Sequence, residues 1–99
     1  MSFVCLVEIH LHLPDNGSLK GKRKELQSLK GQLHRRFGAS VAETGHHDLW
    51  QRATLSAAVV GRSAGGVTEA AAAIERFVES RFPESSRCER AVLSSADLL

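Results

Sequence analysis

From Phe3 to Leu13 the chain alternates. Phe3, Cys5, Val7, Ile9, Leu11 and Leu13 share one face of an extended segment, while Val4, Leu6, Glu8, His10 and His12 share the other. A period of two predicts a strand with one buried face. Pro14-Asp15-Asn16-Gly17 supplies turn chemistry after it. Ser18 can cap a helix that follows, and Leu19, Leu26, Leu29, Leu33 and Phe37 fall in one arc of that helix. Lys20, Arg23, Lys24, His34 and Arg35 lie largely outside the arc. Lys22 falls on its apolar side, where it reads as a stem that snorkels at the helix end. Gly38 reads as the residue that stops the helix.

The second half repeats the pattern. Ala39 to Thr44 reads as a short strand, Gly45 to Asp48 as a turn and Trp50 to Val60 as a strand, and the close spacing makes the two strands a hairpin. Gly61, Ser63, Gly65 and Gly66 read as a loop. Val67, Ala70, Ala71, Ile74, Phe77 and Val78 recur at helical spacing to about Arg81. Pro83 to Ser86 reads as a turn and Arg87 to Ser94 as a last strand. The order β-α-β-β-α-β, with right-handed crossovers, predicts an α+β, ferredoxin-like sandwich over residues 1–99, a single domain. Its four antiparallel strands would take the order 4-1-3-2, with both helices on one face.

That topology makes the first and third strands antiparallel neighbours, whose facing side chains lie about 5 Å apart. His10 and His12 are then expected to meet Trp50 and Arg52 on the open face of the sheet. Glu43 and the His46-His47-Asp48 turn would close the same end, with Asp48 and Arg52 as a turn-closing ion pair. The other end of that face carries Val4, Leu6, Ala58 and Val60, an apolar strip suited to a second copy of the same sheet.

Composition changes this picture in three ways. No apolar run approaches the roughly 20 residues of a membrane span, and the first one, Phe3 to Val7, is broken by Glu8 and His10, so the chain reads as cytoplasmic. Cys5 and Cys88, at opposite ends of neighbouring antiparallel strands, read as free thiols. The net charge is only +2, yet Lys20, Lys22, Arg23, Lys24, Lys30, Arg35 and Arg36 stand against the single anion Glu25 between positions 20 and 36. Such polarity suits an anionic partner met by one face.

Candidate chemistry is sparse. His10, His12, His46, His47, Asp48 and Glu43 could approach a metal, but no HExxH or cysteine pair supports one, and hydrogen-bonded structural histidines are the favoured reading. Gly61-x-x-x-Gly65-Gly66 lacks the spacing of a nucleotide loop. No nucleophile motif appears, and no cofactor, small-molecule substrate or catalytic residue is expected. For nucleic acid, the first strand has no outward aromatic and the third offers only Trp50 at its edge. Backbone contact by the basic helix therefore fits better than sheet-face base stacking, alongside the reading of a merely solvated helix face.

Ser18-Leu19-Lys20-Gly21-Lys22-Arg23, Arg36-Phe37, Ser40-Val41-Ala42-Glu43 and Asp48-Leu49-Trp50-Gln51-Arg52-Ala53 resemble the YlxP-like family of small bacterial proteins, a domain of unknown function. The resemblance runs over nearly the whole chain and departs at His46-His47 and in the tail after Phe82. It implies a ferredoxin-like fold and no established activity. Family genes often lie among those for translation initiation and ribosome maturation, which implies an RNA- or ribosome-associated role. The motifs mark Lys20, Lys22, Arg23, Glu43, Asp48, Trp50, Gln51 and Arg52. The resulting expectation is a binding or assembly module rather than an enzyme. It would meet RNA or a ribosomal particle through the first helix or, alternatively, a second copy or another protein through the open sheet face, without binding nucleic acid.

Overall fold

The computed structural model describes residues 1–99. Its elements are β1 (Phe3–His12), α1 (Leu19–Phe37), β2 (Ser40–Gly45), β3 (Arg52–Gly61), α2 (Ala64–Arg81), β4 (Ser86–Ser94) and α3 (Ser95–Leu98). One four-stranded sheet has the order β2-β3-β1-β4, which is the expected 4-1-3-2. All its pairings are antiparallel, so the fold is α+β.

The alternation in β1 becomes burial in this sheet. Cys5, Val7, Ile9 and Leu11 are buried, as are Ala53, Leu55 and Ala57 of β3, and α1 and α2 supply Leu26, Leu29, Leu33, Val67, Ala71, Ile74 and Val78. Each fully buried aliphatic side chain contributes roughly 1.5–3 kcal/mol over exposure. On the edge strand β4, Arg90 reaches the helix layer and grips Glu75 of α2 at 2.8 and 3.1 Å. Cys5 lies opposite Val92 and Cys88 opposite Ile9, and both thiols are free.

Several boundaries differ from expectation. β2 and β3 each lie one to two residues later, so Trp50 falls in the hairpin loop rather than on the strand. The reason is that the carbonyls of Leu49 and Trp50 are taken by Lys22 and Asn16 rather than by a neighbouring strand. Gly65 and Gly66 belong to the first turn of α2, because the Ser63 hydroxyl accepts from Gly66 N at 3.0 Å and starts the helix there. β4 begins at Ser86 rather than Arg87. A third helix, the single turn α3, lies beyond the elements that the sequence pattern predicts. The Asp97 carboxylate accepts from the Ser94 amide at 2.8 Å and from the Ser94 hydroxyl at 3.0 Å, which starts that turn. These bonds hold the Asp97 carboxyl below its usual range.

α1 ends as its sequence predicts. Gly38 takes the left-handed conformation, φ 65°, and its amide bonds His34 O. A Cβ at Gly38 would meet no neighbour, so the conformation alone penalises substitution. Gly38→Ala should therefore destabilise the fold by about 1 kcal/mol, with Gly38→Asn closer to wild type. Urea denaturation of the three proteins checks both.

Candidate functional site

Three surfaces carry the candidate residues. The first is the junction between the start of α1 and the β2–β3 loop. Lys22 sits in the buried stripe of α1 with Leu26, Leu29 and Leu33 and is only 1% exposed. A buried ammonium is tolerated only if its protons are matched. Here it donates to His46 O and Leu49 O, each at 2.6 Å, and lies 3.0 Å from Glu43 Oε2. The last contact is an ion pair without hydrogen-bond alignment, since Glu43 Oε2 has no directional partner. Lys22 is thus a tether and not a snorkelling stem, and it cannot contact an external anion with the other cations of α1.

Further bonds close the same junction. Asn16 Nδ2 donates to both Ser18 O and Trp50 O, Leu13 N donates to Gln51 O at 2.8 Å, and Gln51 Nε2 donates to Pro14 O at 3.2 Å. The successive carbonyls of Leu49, Trp50 and Gln51 are all held by the segment from Leu13 to Lys22. Gly21 leaves room for this, since a Cβ there would stand 2.5 Å from Asn16 Oδ1. The side chains of Leu49 and Trp50, by contrast, are 47% and 49% exposed.

The second surface is a cleft of about 270 Å³ at the end of the open sheet face, lined among others by His10, His12, His46, Arg52, Glu84 and Arg87. The register sets His12 opposite Arg52 and His10 opposite Thr54 and Arg87. The expected cluster is therefore only partly assembled. His10, His12 and Arg52 come together, but Trp50 and Gln51 lie beyond the ladder in the junction. Glu43 pairs with Leu55 on the helix side of the sheet, toward Lys22. Asp48 is exposed, and the ion pair expected with Arg52 does not form.

His10 is committed within the sheet. Its Nε2 is 3.0 Å from Glu89 Oε1 and its Nδ1 3.2 Å from Thr54 Oγ1. The carboxylate calls for a proton on Nε2, so in the neutral ring Nδ1 accepts from the Thr54 hydroxyl. Arg87 Nη1 donates to the same Glu89 oxygen at 2.9 Å. The bond from Arg87, followed by that from His10, holds the Glu89 carboxyl below its usual range. His46 and Glu84 are the chain's two non-glycine residues with positive φ, 60° and 62°, and both line the cleft. No three histidine, cysteine or acidic side chains converge as a metal centre would.

The third surface is the outer face of α1. Lys20, Arg23, Lys24, Arg35 and Arg36 are exposed and Lys30 is half-buried. None of the six belongs to an ion pair; the chain's pairs are His10–Glu89, Lys22–Glu43, Arg87–Glu89 and Arg90–Glu75. Arg36 lies 4.6 Å over the Phe77 ring, which orients its guanidinium without neutralising it.

Residues 4–90 match the family model described as "Protein of unknown function (DUF503)", and the chain belongs to that family. It is 34% identical over 73 residues to the uncharacterized protein YlxP of Bacillus subtilis, covering 74% of this chain and 78% of that one. Among solved structures it is similar to the de novo designed protein Foldit4, with a TM-score of 0.61, 9% identity, and 96% and 99% of the two chains covered. It is also similar to a mutant of SnoaB, a cofactor-independent oxygenase from Streptomyces nogalater, with a TM-score of 0.51, 12% identity, and 94% and 92% covered. At such identities these are likenesses of fold alone. The family match runs past Phe82 and stops at residue 90, before α3.

Two outcomes follow from the buried groups. Lys22→Met leaves two carbonyls and Glu43 without their cation. Because Glu43 is 23% exposed and can recruit water, the loss should sit near the lower end for a broken buried pair, about 3 kcal/mol. A urea-denaturation difference of about 1 kcal/mol or less, the worth of a single hydrogen bond, would contradict the tether. Burial first, then Glu75 and Glu79, push the Cys88 thiol from 9.0 up to about 11. The folded value is the higher one, so this contribution to stability is complete below pH 9 and is lost as pH rises toward 11. The melting-temperature advantage of wild type over Cys88→Ala should shrink across that interval.

Proposed function

We propose that this DUF503 protein is a one-domain, ferredoxin-like cytoplasmic binding module that meets RNA through the basic face of α1. The observation that carries this reading is the uncompensated charge of that face. Exposed lysines and arginines are often tied into surface ion pairs, yet six cations of α1 belong to none. A polyanion would gain from releasing counterions over this face without having to break internal ion pairs. No helix of the chain is long and apolar enough to cross a membrane.

A second reading has its own observation. On the open sheet face, Val4 and Leu6 of β1 lie beside Val60 and Ala58 of β3, and beside Leu93 and Ala91 of β4. Val60 is 74% exposed. A second copy joined by two-fold symmetry would cover that strip, making the chain a protein–protein module that binds no nucleic acid.

The two are separable. Arg23→Glu with Lys24→Glu should lower affinity for structured RNA by at least about tenfold at roughly 50 mM salt, where electrostatic association is strong, and leave the oligomeric state alone. Leu6→Asp should do the reverse. Wild-type protein that binds no structured RNA at that salt sinks the first reading, and a monomeric mass by light scattering at micromolar concentration sinks the second.

A further inference from the structure

We infer that Trp50 is a stacking platform for an unpaired base of the RNA whose phosphates α1 holds. The inference rests on the RNA-binding reading of α1 and names the form of RNA that the surface takes. Trp50 is joined to the basic helix by the bonds that close the junction. The Asn16 amide bridges Trp50 O and Ser18 O, and Lys22, in the first turn of α1, holds Leu49 O. Trp50 therefore stands at the N-terminal end of the helix that carries Lys20, Arg23 and Lys24, and these cations have no ion-pair partner in the chain.

The backbone beneath the indole is pinned. Carbonyls 49, 50 and 51 are bonded in turn by Lys22, Asn16 and Leu13. The half-exposed indole leaves a flat apolar face in water, and the backbone that carries it needs no rearrangement when something stacks on it. Leu19 and Leu49 are also exposed beside the same junction. One aromatic face at the end of a helix carrying unpaired cations matches the two halves of single-stranded nucleic acid, a π-face on each base and a charge on each phosphate. A duplex offers the charge but keeps its bases stacked on one another. An acidic protein segment could meet the cations, but it would lack the repeating planar group.

The chain reports on itself, because Trp50 is its only tryptophan and it has no tyrosine. Emission from the wild-type protein is followed during titration with an unstructured oligouridylate of about ten nucleotides, within the usual site-size range, and with an RNA duplex of the same length. Titrations are run at roughly 50 mM salt, with anisotropy of labelled RNA in parallel. The single strand should quench Trp50 with the midpoint seen by anisotropy, and the duplex should bind without comparable quenching. Trp50→Ala should weaken single-strand binding by about tenfold while leaving duplex binding unchanged. Trp50→Phe should retain most of the single-strand affinity.

Failure of each idea looks different. If both RNAs bind, but emission is unchanged and Trp50→Ala binds as wild type does, stacking is overturned and the basic-helix reading stands. If the duplex quenches as strongly as the single strand, the unpaired-base assignment is overturned. If neither RNA binds, both readings fall together.

Discussion

The ammonium of Lys22 holds together the part of the chain that all three candidate surfaces share. It lies in the apolar stripe of α1, where an unmatched charge would be untenable, and it is matched by two loop carbonyls and the Glu43 carboxylate. One side chain thereby fixes the start of α1, the end of β2 and the path of the hairpin loop. The loop reaches β3 with its carbonyls turned inward, and its side chains face outward as a consequence. His46 takes its left-handed backbone under the same constraint, since its carbonyl is held by Lys22. Its side chain lines the sheet-end cleft.

This gives the shared motifs of the chain a physical meaning. Ser18-Leu19-Lys20-Gly21-Lys22-Arg23 and Asp48-Leu49-Trp50-Gln51-Arg52-Ala53 look like two separate signatures along the sequence. In the fold they are the two halves of one junction. Ser18 caps the helix at Gly21, Gly21 leaves room for Asn16, and Lys22 reaches across. Leu49, Trp50 and Gln51 offer the carbonyls that the first half binds. The unusual residues of the loop are explained first by closure, and what closure leaves over is the exposed indole and the unpaired cations beside it.

The two ends of the open sheet face differ for an equally simple reason. Antiparallel register places like with like across three strands. Val4, Val60 and Leu93 fall in one row, while His10, Thr54 and Arg87 fall in another nearer the opposite end. The polar end is largely satisfied internally, with Glu89 holding Arg87 and His10. The apolar end has no such internal answer, and α3 brings Leu98 and Leu99 only to its border, around a cavity of about 200 Å³.

By itself the sequence determined the elements, their order and the core. The period of two in β1 and the stripes of α1 and α2 are local patterns, and hydrophobic burial permits few ways to pair four such strands under two such helices. It also determined where Gly38 would stop α1 and which cations would lie outside the apolar arc. The odd position of Lys22 was legible there too, as a charge in the wrong arc, but its meaning was not. Its two hydrogen-bond acceptors lie 24 and 27 residues away, and both are backbone atoms, which carry no signature of residue type. The same holds for Glu43, whose face depended on strand parity beside a bulge between Glu43 and Gly45, and for Trp50, displaced from β3 by bonds to its neighbours' carbonyls. The turn of α3 had a faint local signal in the Ser94-x-x-Asp97 spacing, which is short enough to occur without a helix. Tertiary structure alone decided which polar groups meet, because that depends on where backbone carbonyls are aimed after the chain has closed on itself.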